Sequence, residues 1–321
     1  MRPVNGTEIA RRFGLGDRAR LSDGPVARGK QGLVWRLDTA DGAWAVKVPL
    51  SWPGEDEVRQ TTEFQEAARA AGVPAPGVRW TADGRVFADL GGTRVRVYEW
   101  VDLLPPDPGL DPALVGAVVA AVHQVPAPQF GPVDPWFQEP VGAGRWDELV
   151  HLLTQAGAPF ADSLAGLRDE LVALESWIEP PDVLRACHRD LWADNVLPTA
   201  AGGVCVLDWD NSGQADPSQE LGYVLFEFAR DDHGRARALR DAYRDAGGPG
   251  RVVRRGHFSM LIAQLGHITE IAATDWLVPN LRSPDRAESE AWISEVFDDP
   301  HTRERLDDLL AAVATPLRPE R

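Results

Sequence analysis

The sequence predicts an α+β chain of two lobes: a β-rich N-terminal lobe with one main helix, and a mostly helical C-terminal lobe. Three observations predict it. Short apolar and β-branched runs separated by turn residues fill roughly the first hundred positions. After Pro105-Pro106-Asp107-Pro108 the pattern changes to long segments with helical spacing. One short β-like interruption, Val204 to Trp209, falls inside the helical half. At 321 residues the chain is long enough to bury two cores.

The elements follow in order. Residues 5–14 read as a short helix. Val34–Leu37 and Ala43–Val48 read as strands of a hairpin turning through Ala40-Asp41-Gly42. From Glu55 to Ala71 the spacing of Val58, Phe64, Ala68 and Ala71 predicts a helix, which stops at Gly72 ahead of Pro74 and Pro76. Arg85–Leu90 and Thr93–Trp100 are strand-like and parted by Gly91-Gly92. Helices are expected over Pro112–His123, Arg145–Thr154, Ala161–Trp177 and Glu220–Ala229, with several more beyond Arg235. The expected division is an N-terminal lobe over 1–98, a linker over 99–108 and a helical lobe over 109–321. No internal repeat or low-complexity tract interrupts it.

Composition narrows the function. Hydrophobic residues make up 44% and charged residues 26%, as in ordinary globular proteins. The longest apolar run, around Ala113 to Val122, falls short of the roughly 20 residues a membrane span needs. The first residues, Met-Arg-Pro-Val-Asn-Gly, lack the apolar segment of a signal peptide, so a cytoplasmic location is expected. A net charge of -16 argues against binding nucleic acid or an anionic membrane and is compatible with a cationic ligand. Two cysteines, Cys187 and Cys205, make no disulfide framework and suggest no structural zinc. Lysine occurs only at Lys30 and Lys47, arginine filling the other 31 basic positions. Each lysine is therefore a candidate for work that suits a compact point charge, such as contacting a phosphate.

The chemistry is concentrated in Cys187-His188-Arg189-Asp190-Leu191-Trp192-Ala193-Asp194-Asn195-Val196-Leu197 and the strand-like Val204-Cys205-Val206-Leu207-Asp208-Trp209-Asp210. This is His-x-Asp-x-x-x-x-Asn followed by a carboxylate at the end of an apolar strand. Phosphoryl transfer to a hydroxyl needs one carboxylate to orient the nucleophile and take its proton, and hard oxygen ligands for magnesium. Asp190 fits the first role, Asn195 and Asp208 the second. Taken singly, each residue suits a turn cap or a strand end equally well; order and spacing together carry the inference.

The segment resembles the catalytic core of the aminoglycoside phosphotransferase family, protein-kinase-like kinases of small molecules. The likeness continues through Asn211-Ser212-Gly213-Gln214-Ala215-Asp216-Pro217 and Glu220-Leu221, although the family usually has Asp where Glu220 stands. The resemblance implies a two-lobed protein-kinase-like fold, ATP or alternatively GTP as donor, Mg²⁺, and a small-molecule hydroxyl acceptor. It implies that 1–98 binds nucleotide and that 109–321 carries the catalytic loop, metal site and acceptor site. Ala45-Val46-Lys47-Val48 resembles the strand whose lysine pairs with the α- and β-phosphates, partnered by a helical glutamate. Glu57, Glu63 and Glu66 are available, and Glu63 is the choice. Gly29-Lys30-Gln31-Gly32 would be the glycine turn, with Gly29, Lys30 and Gly32 over the phosphates. In Tyr98-Glu99-Trp100-Val101, the backbone of Glu99 and Val101 would hold adenine.

Gly24 to Gln31 mimics a P-loop but lacks the Ser or Thr, and a strand-like pattern follows where a helix should open. A protein substrate is not expected, because no Ala-Pro-Glu motif or long segment for an activation loop follows Asp208. Glu227, Asp231, Asp232, Glu270 and Asp275, with Trp192 and Trp276, are candidates for a surface that takes a cationic acceptor; each is equally an ordinary solvated position. Three functions stay open: a kinase of an aminoglycoside or other antibiotic or natural product, a metabolic kinase of the choline, homoserine or thiosugar type, and a nucleotide-binding protein without catalysis.

Overall fold

The computed structural model describes residues 5–28, 32–50, 54–126, 130–278 and 283–314. The chain divides into two compact units. The first comprises Met1–Asp107, Val125–Phe130 and Asp190–Ser212; the second comprises Pro108–Gln124, Gly131–Arg189 and Gly213–Arg321.

The first unit opens with α1 (Gly6–Phe13), capped by the Asn5 side chain, which accepts from the Thr7 and Glu8 amides, and closed by left-handed Gly14. An antiparallel sheet follows. Its described strands are β1 (Arg20–Leu21), β2 (Ala27–Arg28), β3 (Gly32–Thr39), β4 (Gly42–Pro49), β5 (Val78–Arg79), β6 (Ala88–Asp89) and β7 (Arg94–Glu99), with α2 (Glu55–Ala70) inserted after β4. The path is β1-β3-β4-β7-β5, with β2 on β3 and β6 on β7. Strand alternation sorts the sheet into two faces. Trp35, Leu37, Trp44, Val46, Val48, Val95 and Val97 share one core with Ile9 and Phe13 of α1. The intervening positions put Lys47 directly opposite Arg96 on the other face. The strand that starts at Gly32 also disposes of the P-loop mimic, because no helix opens there.

The second unit is helical. Among the described residues it holds α3 (Pro112–His123), α4 (Ala143–Ala156), α5 (Ala161–Glu175), α6 (Pro217–Ala229), α7 (His233–Asp245), α8 (Ser259–Trp276), α9 (Ser283–Asp298) and α10 (Arg303–Ala314). Asp111, Asp216 and Asp232 cap α3, α6 and α7 with their side chains. In α6 every residue but Ser218 is buried, so it forms the centre of this unit. No described helix is long and apolar enough to cross a membrane.

Short strand pairs flank the segment that carries the chemistry. β8 (Arg185–Cys187) pairs with β11 (Gly213–Ala215) in the second unit. β9 (Val196–Pro198) pairs with β10 (Val204–Val206) in the first.

Candidate active site

The β9–β10 hairpin sets Val196 against Val206, and the Leu207 amide donates to the Asn195 carbonyl at 2.8 Å. Asn195 therefore lies one residue across from Asp208. The Asn195 Nδ2 donates to the Asp190 carbonyl at 2.9 Å, which commits its amide nitrogen to the loop and leaves the side-chain oxygen as a hard donor. Asp208 stands at the end of the strand with φ +52°, in the left-handed region that costs a non-glycine residue about 1–2 kcal/mol. A 3₁₀ turn, Trp209–Asn211, follows and brings Asp210 and Asn211 back toward Lys47 and Asp190.

Lys47 Nζ donates to Asp208 Oδ1 at 2.7 Å and to Asp210 Oδ2 at 2.8 Å. The carboxylates that hold the lysine are thus these two. Glu63 lies on the exposed face of α2 and is not among the partners of Lys47. One position earlier, buried Thr62 accepts from Arg96 Nη2 at 2.9 Å, and Glu66 accepts from the Val78 amide at 3.0 Å. The other oxygen of Asp210 accepts from Arg96 Nη1. Two cations opposite each other on neighbouring strands would repel. Asp210 between them removes that penalty.

These contacts set the charge states. Burial would lower the Lys47 pKa, but the Asp210 and Asp208 carboxylates outweigh it and hold the ammonium well above its ordinary range. Burial would likewise raise Asp210, and Lys47 with Arg96 hold it well below the usual carboxylate range. Arg96 is only 1% exposed. Arg96→Met should therefore leave Asp210 short of a partner and lower stability by about 3–5 kcal/mol, measured by urea unfolding. An unchanged midpoint would mean that Arg96 neutralises nothing.

Asp190 differs from its neighbours. It is half-buried, its Oδ2 accepts from Asn211 Nδ2 at 3.0 Å, and its pKa is pushed up to about 7. Burial is the main cause and the nearby Asp208 charge the second, only partly offset by Asn211, Lys47 and Asn195. A carboxyl group poised near neutrality beside an ionised aspartate is the arrangement a general base needs.

Asp208 and Asn195 supply hard oxygens on adjoining positions, and Asp208 already holds a cationic group, the Lys47 ammonium. That donor set fits a divalent ion such as Mg²⁺. Among the remaining expected positions, Gly32 lies beside Lys47: a Cβ there would come 2.9 Å from the Val48 carbonyl and 3.4 Å from Lys47 Cε. Gly29 and Lys30 lie outside the described residues. Glu99 ends β7, its amide donating to the Gly77 carbonyl at 2.8 Å and its side chain pairing with Arg69 and Arg79. Val101, half-buried, follows Trp100, whose amide donates to Ala43.

Within the second unit, the backbone of His188 and Arg189 is held by Glu220, which is completely buried on α6. Its carboxylate accepts from the His188 amide at 3.3 Å and from the Arg189 amide. His123 Nε2 meets Glu220 Oε2 at 2.6 Å, and its Nδ1 meets the Tyr243 hydroxyl at 2.8 Å. Gly250 donates its amide to that hydroxyl at 2.8 Å. The donors order themselves: Tyr243 O–H to Nδ1, then Nε2–H to Glu220. Glu220 thus serves as the acceptor for two loop amides and an imidazole. Cys187 adjoins this cluster, its sulfur within 4.8 Å of the nearest His123 nitrogen and Glu220 oxygen, and its thiol is pushed well above the ordinary range by burial and then by Glu220.

The acidic residues expected to meet a cationic acceptor are largely engaged elsewhere. Arg145 binds Glu270 through Nε at 2.8 Å and Nη2 at 2.7 Å. Glu227 pairs with Arg230 at 3.1 Å, Asp231 with Arg305 at 3.0 Å, and Asp232 caps α7. Asp275 is exposed. Asp210, Arg96, Thr62 and Asn211 belong to the site although the motif pattern assigned them no role. Asp210, two residues past Asp208, was the visible signal.

Residues 24–257 match the family described as the phosphotransferase enzyme family. No curated protein matches the sequence. Among solved structures, the chain is similar to spectinomycin phosphotransferase APH(9)-Ia in complex with ADP and spectinomycin, at 15% identity and a TM-score of 0.70, covering 98% of this chain and 100% of that one. An aminoglycoside phosphotransferase from Alicyclobacillus acidocaldarius has 18% identity and a TM-score of 0.63, with 98% and 96% covered. A microcompartment-associated aminopropanol kinase has 17% identity and a TM-score of 0.57, with 96% and 97% covered. At these identities the structural likeness speaks for a shared protein-kinase-like fold.

Proposed function

Since the chain belongs to the phosphotransferase enzyme family and is a small-molecule O-phosphotransferase, we propose that it moves the γ-phosphate of ATP to a hydroxyl of a small antibiotic or natural product, with Asp190 as the base. The observation that carries this reading is the poised Asp190 carboxyl beside Asp208 and Lys47. The acceptor hydroxyl gives its proton to an Asp190 carboxylate oxygen as its own oxygen bonds to the γ-phosphorus. The bond between that phosphorus and the β–γ bridging oxygen breaks, and ADP departs with the electron pair. Lys47, anchored by Asp210, places its ammonium for the α- and β-phosphates. Asn195 and Asp208 would hold Mg²⁺, which would neutralise charge developing on the transferring group. Gly32 would lie over the phosphates, and the Glu99 and Val101 backbone would meet the nucleotide base.

A second reading, a kinase of an amino alcohol or sugar, is favoured by the arginine pairing of Glu227, Asp231 and Glu270. Carboxylates already neutralised by arginine give a polyamine little to bind. ADP release measured with MgATP and MgGTP across aminoglycosides, peptide antibiotics, choline, homoserine and sugars separates the two. We expect Asp190-dependent release on one chemical group. Release confined to choline, homoserine or sugars would replace the first reading by the second, and release that ignores Asp190→Asn would remove both.

A further inference from the structure

Gln264 lies on α8, far along the chain from the catalytic loop, and is 3% exposed. Its Nε2 donates to the Arg189 carbonyl at 3.3 Å, while its Oε1 has no hydrogen-bond partner among the described residues. As a contribution to the fold this is a poor use of a buried amide: one long bond gained and one polar atom left unpaired. The place of that bond is what matters. Arg189 directly precedes Asp190 and holds φ +64°, the left-handed region. Its amide is taken by Glu220 and its carbonyl by Gln264, so the strained residue is gripped on both sides. Its guanidinium is fixed as well, 4.3 Å from the centre of the Phe137 ring. It lies so close over Gly213 that an added Cβ there would collide with it.

We propose that Gln264 is a positioning residue for phosphoryl transfer, holding the Arg189 carbonyl so that the next residue, Asp190, is aimed at the acceptor. The inference rests on the reading of Asp190 as the base. A displacement of about 1 Å in a catalytic group costs on the order of 10²-fold in rate. Gln264→Met keeps the shape, loses the donor and removes the unpaired oxygen. It should leave the melting temperature unchanged or higher and keep the MgATP Kd within about twofold of wild type. Hydrogen exchange at the amides of residues 188–190 should quicken, and kcat should fall about 10- to 100-fold. The rate is read as Asp190-dependent ADP release, with water as acceptor or with whichever acceptor the panel identifies.

Unchanged kcat and exchange in Gln264→Met overturn the inference. So does a fall in kcat matched by a fall in melting temperature, since that is what a merely structural residue gives. Should the Met variant fail to fold, Gln264→Leu, which likewise has neither donor nor acceptor, carries the same readings; failure of both makes the role structural and ends the proposal. A wild type whose ADP release does not depend on Asp190 sinks the functional reading itself, whereas an active wild type beside an equally active Gln264→Met sinks only the inference.

Discussion

Asp190→Asn should cut phosphoryl transfer by about 10²–10⁴-fold, the usual weight of general base catalysis, while nucleotide affinity stays within a few-fold. Asparagine keeps the shape and can still accept from Asn211 through its oxygen, so what is lost is the ability to take a proton. The same substitution should stabilise the ligand-free protein. Asp190 titrates near 7 when folded, raised by burial and by Asp208, against about 3.9 unfolded. A raised carboxyl group favours the folded state fully below the unfolded value, and that contribution is lost as pH climbs from about 4 through 7. At pH 8 the ionised group therefore weighs against folding, by at most about 4 kcal/mol. A neutral amide in its place would lift that burden: the variant should melt higher than wild type at pH 8, and the gap should close toward pH 4. In the wild type, kcat/KM should rise with pH through the same region, because only ionised Asp190 accepts a proton. A variant that is both nearly as active and no more stable would remove Asp190 from the chemistry.

The fold class was legible because its signals are local. Alternation in Trp44, Val46 and Val48 marks a half-buried strand, and the spacing of Val58, Phe64 and Ala68 marks α2. The order His188, Asp190, Asn195, Asp208 was legible for a related reason: its spacing fits one loop and one short hairpin, the β9–β10 pair, whose length is fixed locally. What the sequence hid is what depends on register and rotation. Choosing among Glu57, Glu63 and Glu66 requires the rotation of α2, and about 100° per residue separates exposed Glu63 from Thr62, which faces Arg96. The partner of Lys47 depends on β4 pairing with β7 so that Lys47 meets Arg96, and on the turn after Asp208 that swings Asp210 between them. Three-residue strands such as β8 and β11 carry no periodicity of their own, and their pairing is decided across the whole catalytic segment. The acids in the helical unit were visible, but their arginine partners, such as Arg145 for Glu270 across α4 and α8, were not.

Asp208→Ala should lower turnover by about 10³-fold or more, as expected when a metal-holding carboxylate worth several kcal/mol of charge stabilisation is removed. Its signature should differ from that of Asp190→Asn. Nucleotide binding in the wild type should tighten with added Mg²⁺; in Asp208→Ala that dependence should flatten, while metal-free nucleotide affinity changes little. Lys47 has a second anchor in Asp210 at 2.8 Å, itself held by Arg96, so the lysine should keep its place when Asp208 is gone. Asp190, by contrast, loses the like charge that is the second cause of its raised pKa. Its residual activity should therefore show a pH limb moved to lower pH, with burial still holding it above an ordinary aspartate. Calorimetric titration of ATP at several Mg²⁺ concentrations, with the pH–rate profile of the variant, reads both effects. An Mg²⁺ requirement unchanged by Asp208→Ala would take the metal-holding role from Asp208. A pH limb that did not move would mean that the two carboxylates do not act on each other.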